Sequence, residues 1–78
     1  MKVKYFARLR ELTNTDEDIF QVSGEQTILS VIQKVKEKHP SIENEKNLLI
    51  AINEKYANLS DPVTDSDVVA IFPPVSGG

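Results

Sequence analysis

Residues 27–39 constrain this chain more than any other segment, because they carry helical spacing while the flanking apolar patterns are strand-like. Ile28, Val31, Ile32 and Val35 fall on one face of a 3.6-residue period, and Thr27 is placed as an N-cap whose hydroxyl accepts an amide one turn on. Lys34, Lys36 and Lys38 gather towards the end where positive charge complements the helix dipole. Pro40 cannot continue the helix and turns His39 away from helical backbone, so the helix stops there.

The other segments alternate with a period of two. Met1, Val3 and Tyr5 interleave with Lys2, Lys4 and Phe6, predicting a half-buried strand over residues 1–7 that leaves Phe6 on the lysine side. Residues 8–12 predict a turn or a single helical turn ending near Asn14, and residues 18–22 a second strand closed by Ser23 and Gly24. Residues 48–52 form an apolar run of strand length, and Asn53, Glu54 and Lys55 turn into a brief extended piece at Tyr56 and Ala57. The last strand covers residues 68–72, with Val69 and Ile71 on one face and Val68, Ala70 and Phe72 on the other. The surroundings of Asp61, Pro62, Asp65 and Ser66 read as loop. This order does not alternate strand and helix regularly, which favours an α+β sheet packed on one helix over a doubly wound fold.

With 78 residues the chain forms one domain, without a repeat or linker, and its small core leaves no room for a large active site. The absence of cysteine removes disulfides, thiolate metal sites and a cysteine nucleophile together, so any sulfur handled here arrives from elsewhere. No apolar run reaches 18 residues, and Lys4, Arg8 and Arg10 interrupt any signal-like segment, so the expected address is the cytoplasm and no membrane is involved. Nine basic against twelve acidic residues argue against nucleic acid as the main ligand. Lys2, Lys4, Arg8 and Arg10 cluster in residues 1–12, whereas Asp16, Glu17, Asp18 and Glu25 follow without a base; solvated faces and steering towards a charged partner both fit. His39 reads as a solvent-facing helix end. Asp61, Asp65 and Asp67 lack the glycine and terminal glutamate of a calcium loop and read as turn residues; no metal site is expected.

The chain closes with Pro73, Pro74, Val75, Ser76, Gly77 and Gly78. Two glycines ending a chain by chance is roughly a one-in-200 event. The proline pair fixes φ and withholds two donors, so this tail does not fold back as another strand. Six extended residues reach about 20 Å. Two glycines without Cβ atoms let a narrow channel close around the backbone and deliver a terminal carboxylate to chemistry held elsewhere. The organisation expected is therefore a body of residues 1–72 and a tail of residues 73–78.

The opening MKVKYFARLREL, the Thr27-led helix, the LLIAIN strand, the DSDVVAIFPP approach and the SGG end together resemble the MoaD-type small subunits of molybdopterin synthase. That family belongs to the ubiquitin-like β-grasp sulfur carriers, and the match covers essentially the whole chain. The resemblance implies a mixed sheet of four to five strands on one main helix. It also implies a cycle in which an E1-like adenylating enzyme, using ATP and magnesium, converts the Gly78 carboxylate to an acyl-adenylate. Sulfur from a persulfide donor then gives a thiocarboxylate, which the large synthase subunit uses to sulfurate a pyranopterin precursor in molybdenum cofactor biosynthesis. On this resemblance Gly78 is the reactive residue, Gly77 gives clearance, and Pro73, Pro74, Val75 and Ser76 position the tail. The resemblance also implies that this chain binds no cofactor itself, that the catalytic side chains belong to the large subunit, and that the assembly is a two-plus-two heterotetramer.

The resemblance further implies that Phe6, Phe72 and Tyr56 form an apolar patch docking the partners; the residues alone also fit rings that close the edges of the core. Arg8 and Arg10 either meet an acidic partner surface or belong to a solvated turn. Carriers serving thiazole synthesis or transfer RNA thiolation, and protein modifiers attached to lysines, share the same tail chemistry. An inert ubiquitin-like interaction module is the alternative from another class. An independent enzyme is disfavoured, since no nucleophile, metal set or phosphate loop is present.

Overall fold

A computed structural model describes residues 1–74. Its strands are β1 (Lys2–Tyr5), β2 (Glu17–Ile19), β3 (Gln26–Thr27), β4 (Leu49–Ile52), β5 (Lys55–Ala57), β6 (Pro62–Val63) and β7 (Val68–Phe72), with helices α1 (Arg8–Thr13) and α2 (Ile28–Lys38) and a 3₁₀ turn at Pro40–Ile42. Five strands form one mixed sheet in the order β2-β1-β7-β4-β5. The first and last long strands lie side by side and parallel at its centre, while the other pairs are antiparallel. This is the α+β, β-grasp architecture: a five-stranded sheet on one main helix.

The helix forms as its pattern dictates. Thr27 Oγ1 accepts from the Ser30 amide at 3.3 Å, His39 is the C-cap, and Ile28, Val31, Ile32 and Val35 are all buried. They meet Met1, Val3 and Tyr5 of the first strand and Val69 and Ile71 of the last, the sets that alternation assigns inward. At α1 the chain makes one and a half turns and stops at Asn14, whose φ of 59° ends the helix in left-handed backbone. Asn53 and Glu54 are both left-handed, with φ of 48° and 72°, and make a two-residue connection between β4 and β5 of the type I′ kind.

Three expectations are corrected. The second strand covers Glu17–Ile19 rather than residues 18–22, with Asp18 turned inward and Ile19 outward, 66% exposed. Residues 20–22 are held instead by individual bonds, including Phe20 N–H to Met1 carbonyl at 2.9 Å and Val22 N–H to Asp65 Oδ1 at 3.0 Å. Second, the segment around Pro62 is not all loop, because Val63 is drawn into the core and pairs β6 with β3. Third, His39 does not face solvent. Its Nε2 lies 2.6 Å from Asp18 Oδ2, and its ring meets Tyr5 edge-on at 5.6 Å.

Asp18 therefore anchors an edge strand to both helix and sheet. Tyr5 Oη donates to its Oδ2 at 2.8 Å and Lys38 Nζ to its Oδ1 at 2.8 Å. Burial works to raise the Asp18 pKa, but the hydrogen bonds from Lys38, His39 and Tyr5 outweigh it and hold the carboxyl at about 2. Burial first, then the bond to Asp18 and its charge, push the Tyr5 phenol far above its ordinary range. Two of the three loop aspartates do serve turns: Asp61 accepts from the Asn58 amide and Asp67 from the Thr64 amide, each at 2.8 Å. Asp65 instead makes a long-range tie, accepting from the Met1 ammonium at 3.0 Å, and that bond leads the lowering of its pKa.

Candidate functional site: an apolar groove leading to the tail

The sheet face opposite α2 is built from the outward residues of four strands. Pairing across the sheet aligns Lys4, Ala70, Ala51 and Tyr56 in one row. The two alanines make a low floor, and Ala51 is buried in it although it points away from the core. Tyr56 stands at one side, 80% exposed, and Phe6 and Phe72 stand at the other. Asn53, Glu54 and Val68 close the end nearest the β4–β5 turn.

Phe6 and Phe72 stack nearly parallel, with centroids 4.5 Å apart and planes 15° apart. Phe6 is 36% exposed and Phe72 half-buried, so both rings border the groove rather than the core. Phe6 arrives there because it follows the last residue of β1 in phase with Lys2 and Lys4, and Phe72 because it ends β7 in phase with Val68 and Ala70. The structure thus brings Phe6, Phe72 and Tyr56 to one face. Contiguous exposed apolar patches commonly mark interaction surfaces or ligand grooves.

Arg8 and Arg10 lie elsewhere on α1. Arg8 Nε donates to Glu45 Oε1 at 2.8 Å, which ties α1 to the segment after the 3₁₀ turn. Arg10 is exposed and has no ion-pair partner among the described residues. Pro73 and Pro74 follow directly from Phe72 and are half-buried. Val75, Ser76, Gly77 and Gly78 lie outside the described residues.

Chemically, the groove can bind but offers little to react. Its charged members are Lys4 and Glu54, and no group of three or more His, Cys, Asp or Glu side chains suited to a metal ion occurs among the described residues. Lys4, Ala51, Asn53, Glu54, Val68 and Ala70 were not singled out as site residues in the sequence. Lys4, Val68 and Ala70 share the outward phase of Phe6 or Phe72, which alternation reports without saying that the outward face is concave; Ala51, in an all-apolar run, and the turn residues Asn53 and Glu54 have no such phase. No described helix is long and apolar enough to cross a membrane.

Comparison with known proteins gives a consistent result. The molybdopterin synthase sulfur carrier subunit of Chlamydomonas reinhardtii is 32% identical over 81 residues, covering 100% of this chain and 98% of that one. The structure of a putative molybdopterin converting factor subunit 1 from Pyrococcus furiosus superimposes with a TM-score of 0.86 at 32% identity, over 95% of each chain. SAMP1 from Haloferax volcanii superimposes with a TM-score of 0.89 at 28% identity, over 100% of this chain and 98% of that one. The ThiS family profile matches residues 3–78, and the chain belongs to the ThiS family.

Proposed function

We propose that this protein is the sulfur carrier subunit of a molybdopterin synthase, working through the carboxylate of Gly78. The observation that carries the reading is the end-to-end likeness to relatives of that name, joined to an apolar groove that runs up to the residue from which the tail departs. A free carboxylate resists nucleophilic attack. The partner adenylating enzyme, with ATP and magnesium, supplies the activation: a carboxylate oxygen attacks the α-phosphorus, pyrophosphate leaves, and an acyl-adenylate forms. A persulfide sulfur from the donor attacks the acyl carbon and AMP departs. A thiol then cleaves the remaining sulfur–sulfur bond, leaving the thiocarboxylate and a disulfide.

The thiocarboxylate is consumed in the large synthase subunit, in a two-plus-two assembly, where the pyranopterin precursor gains its sulfur. This chain acts as co-substrate, holds neither ATP nor magnesium itself, and works in the cytoplasm. The groove of Phe6, Tyr56 and Phe72 docks the partners in turn, and the Gly77–Gly78 backbone enters their channels. The likeness to SAMP1, of a modifier class, favours a second reading in which the activated carboxylate is passed to a lysine amine.

Intact mass spectrometry after incubation with cell extract, ATP and cysteine tests the proposal, beside a variant lacking Gly78. A gain equal to one oxygen exchanged for one sulfur, absent in the truncated chain, is expected. A thiol-stable conjugate to another protein, without that gain, would move the protein to the modifier reading. An unchanged mass in the presence of an active adenylating enzyme would sink both.

A further inference from the structure

We propose that Phe6 is a positioning residue for the tail, acting through Phe72, in addition to any contact it makes with a partner; this rests on the carrier reading above. The argument starts where the central ladder stops. The parallel pairing of β1 with β7 ends at Tyr5 and Ile71, and the Phe6 amide makes the last backbone bond, to the Ile71 carbonyl at 3.2 Å. On its other side Phe72 still pairs with Leu49. Towards β1 the Phe6 ring stacks on it, so the stack continues the lateral restraint one residue beyond the ladder.

The chain holds Phe6 there at a conformational cost. Ala7 sits at φ 53° and ψ −133°, backbone that glycine adopts freely and alanine does not. Such strain persists only where the surroundings over-determine the geometry. Here the Leu9 amide donates to the Phe6 carbonyl and the Arg10 amide to the Ala7 carbonyl, each at 3.1 Å, and the Arg8–Glu45 pair secures the helix they begin. The turn carries the chain away from β7 and leaves the Phe6 ring behind, over Phe72.

Phe72 sets the direction in which the chain leaves the sheet, because the prolines that follow have fixed φ and hold the residue before them to extended backbone. Misplacement of a reacting group by about 1 Å is enough to cost about 100-fold in rate.

The test compares Phe6→Leu, which keeps an apolar side chain but removes the flat ring, with Phe6→Tyr, which keeps the ring. In the isolated protein, the backbone order parameter of the Phe72 amide should fall in Phe6→Leu from a rigid value of about 0.85 to below about 0.6. In pyrophosphate release with an E1-like adenylating enzyme, ATP and magnesium, kcat should fall about 10- to 100-fold, beyond any rise in KM that the docking contact of the same ring produces. Phe6→Tyr should restore both readouts. An unchanged Phe72 order parameter in Phe6→Leu overturns the proposal, as does a raised KM at unchanged kcat, which marks a docking contact only. Failure of the wild-type chain to be adenylated counts against the carrier reading instead, and the order parameters still decide the role of the stack.

Discussion

The substitution Asp18→Asn separates the charge of the half-buried anchor from its shape. Asparagine keeps one acceptor oxygen for Tyr5 but no negative charge for Lys38 and His39, all three of which converge on Asp18. The Asp18 carboxyl is held at about 2 in place of its ordinary 3.8. That difference corresponds to about 2.5 kcal/mol at most, and solvent around the half-exposed Lys38 amine brings the expected loss to about 1.5–2 kcal/mol near pH 7. Total stability for a domain of this length is about 4–12 kcal/mol. The melting temperature should fall by roughly 6–16 °C.

The sign of the pH dependence follows from the direction of the shift. A carboxyl whose pKa is lowered by folding stabilises fully above its unfolded value and loses that contribution as it protonates. The wild-type advantage should therefore be complete above about pH 5 and decay between about pH 4 and pH 2. Urea denaturation followed by far-UV circular dichroism, on both proteins across that range, measures it. The two stability curves should converge as pH falls. A gap that stays constant with pH, or one below about 0.5 kcal/mol at neutral pH, refutes the claim that an ionised Asp18 anchors β2. Tyr5→Phe should cost about 1 kcal/mol alone, and the double variant should show a coupling of at least about 0.5 kcal/mol with Asp18→Asn.

Two further outcomes follow from backbone and core. Glu54 occupies left-handed backbone at φ 72° in the β4–β5 turn, where glycine fits without strain; Glu54→Gly should raise stability by about 0.5–1 kcal/mol, seen as a melting temperature several degrees higher. Within the sheet, Ile71→Ala should cost about 3–4 kcal/mol because Ile71 is fully buried, while Ile19→Ala, at a side chain 66% exposed, should stay within about 0.5 kcal/mol in the same denaturation assay.

The helix and the central strands were legible because their burial obeys simple periods. Ile28, Val31, Ile32 and Val35 needed only helical spacing, and Val69 and Ile71 only alternation. Strand β2 was misread for a physical reason. The apolar residues Ile19, Phe20 and Val22 suggest a strand running on to residue 22, yet pairing ends at Ile19, and Asp18 faces inward because Tyr5, Lys38 and His39 offer it three donors. Those donors stand 13, 20 and 21 residues away, beyond any local pattern. A shift of one position exchanges every side chain between faces, so a single tertiary cluster decides the whole strand. His39 was misplaced by the same omission. Val63 followed another route: two residues paired with Gln26 and Thr27 are too short to leave a periodic trace.

The groove was legible in part, and its aromatic residues explain why. Phe6 stood out because it shares the phase of two lysines, Phe72 because it ends β7 on the outward side, whereas Tyr56 depended on the family resemblance. Of the alanine floor, alternation places Ala70 outward, whereas Ala51 sits in an all-apolar run that gives no face. Of the chain's five aromatic residues only Tyr5 is fully buried, while Phe6, Tyr56 and Phe72 border the outer face. Burying one large apolar side chain contributes about 1.5–3 kcal/mol, a substantial fraction of the stability expected for so small a domain. A chain shaped for stability alone would turn these rings inward. Their outward placement, beside the residue from which the tail departs, supports the proposal that this face docks partners.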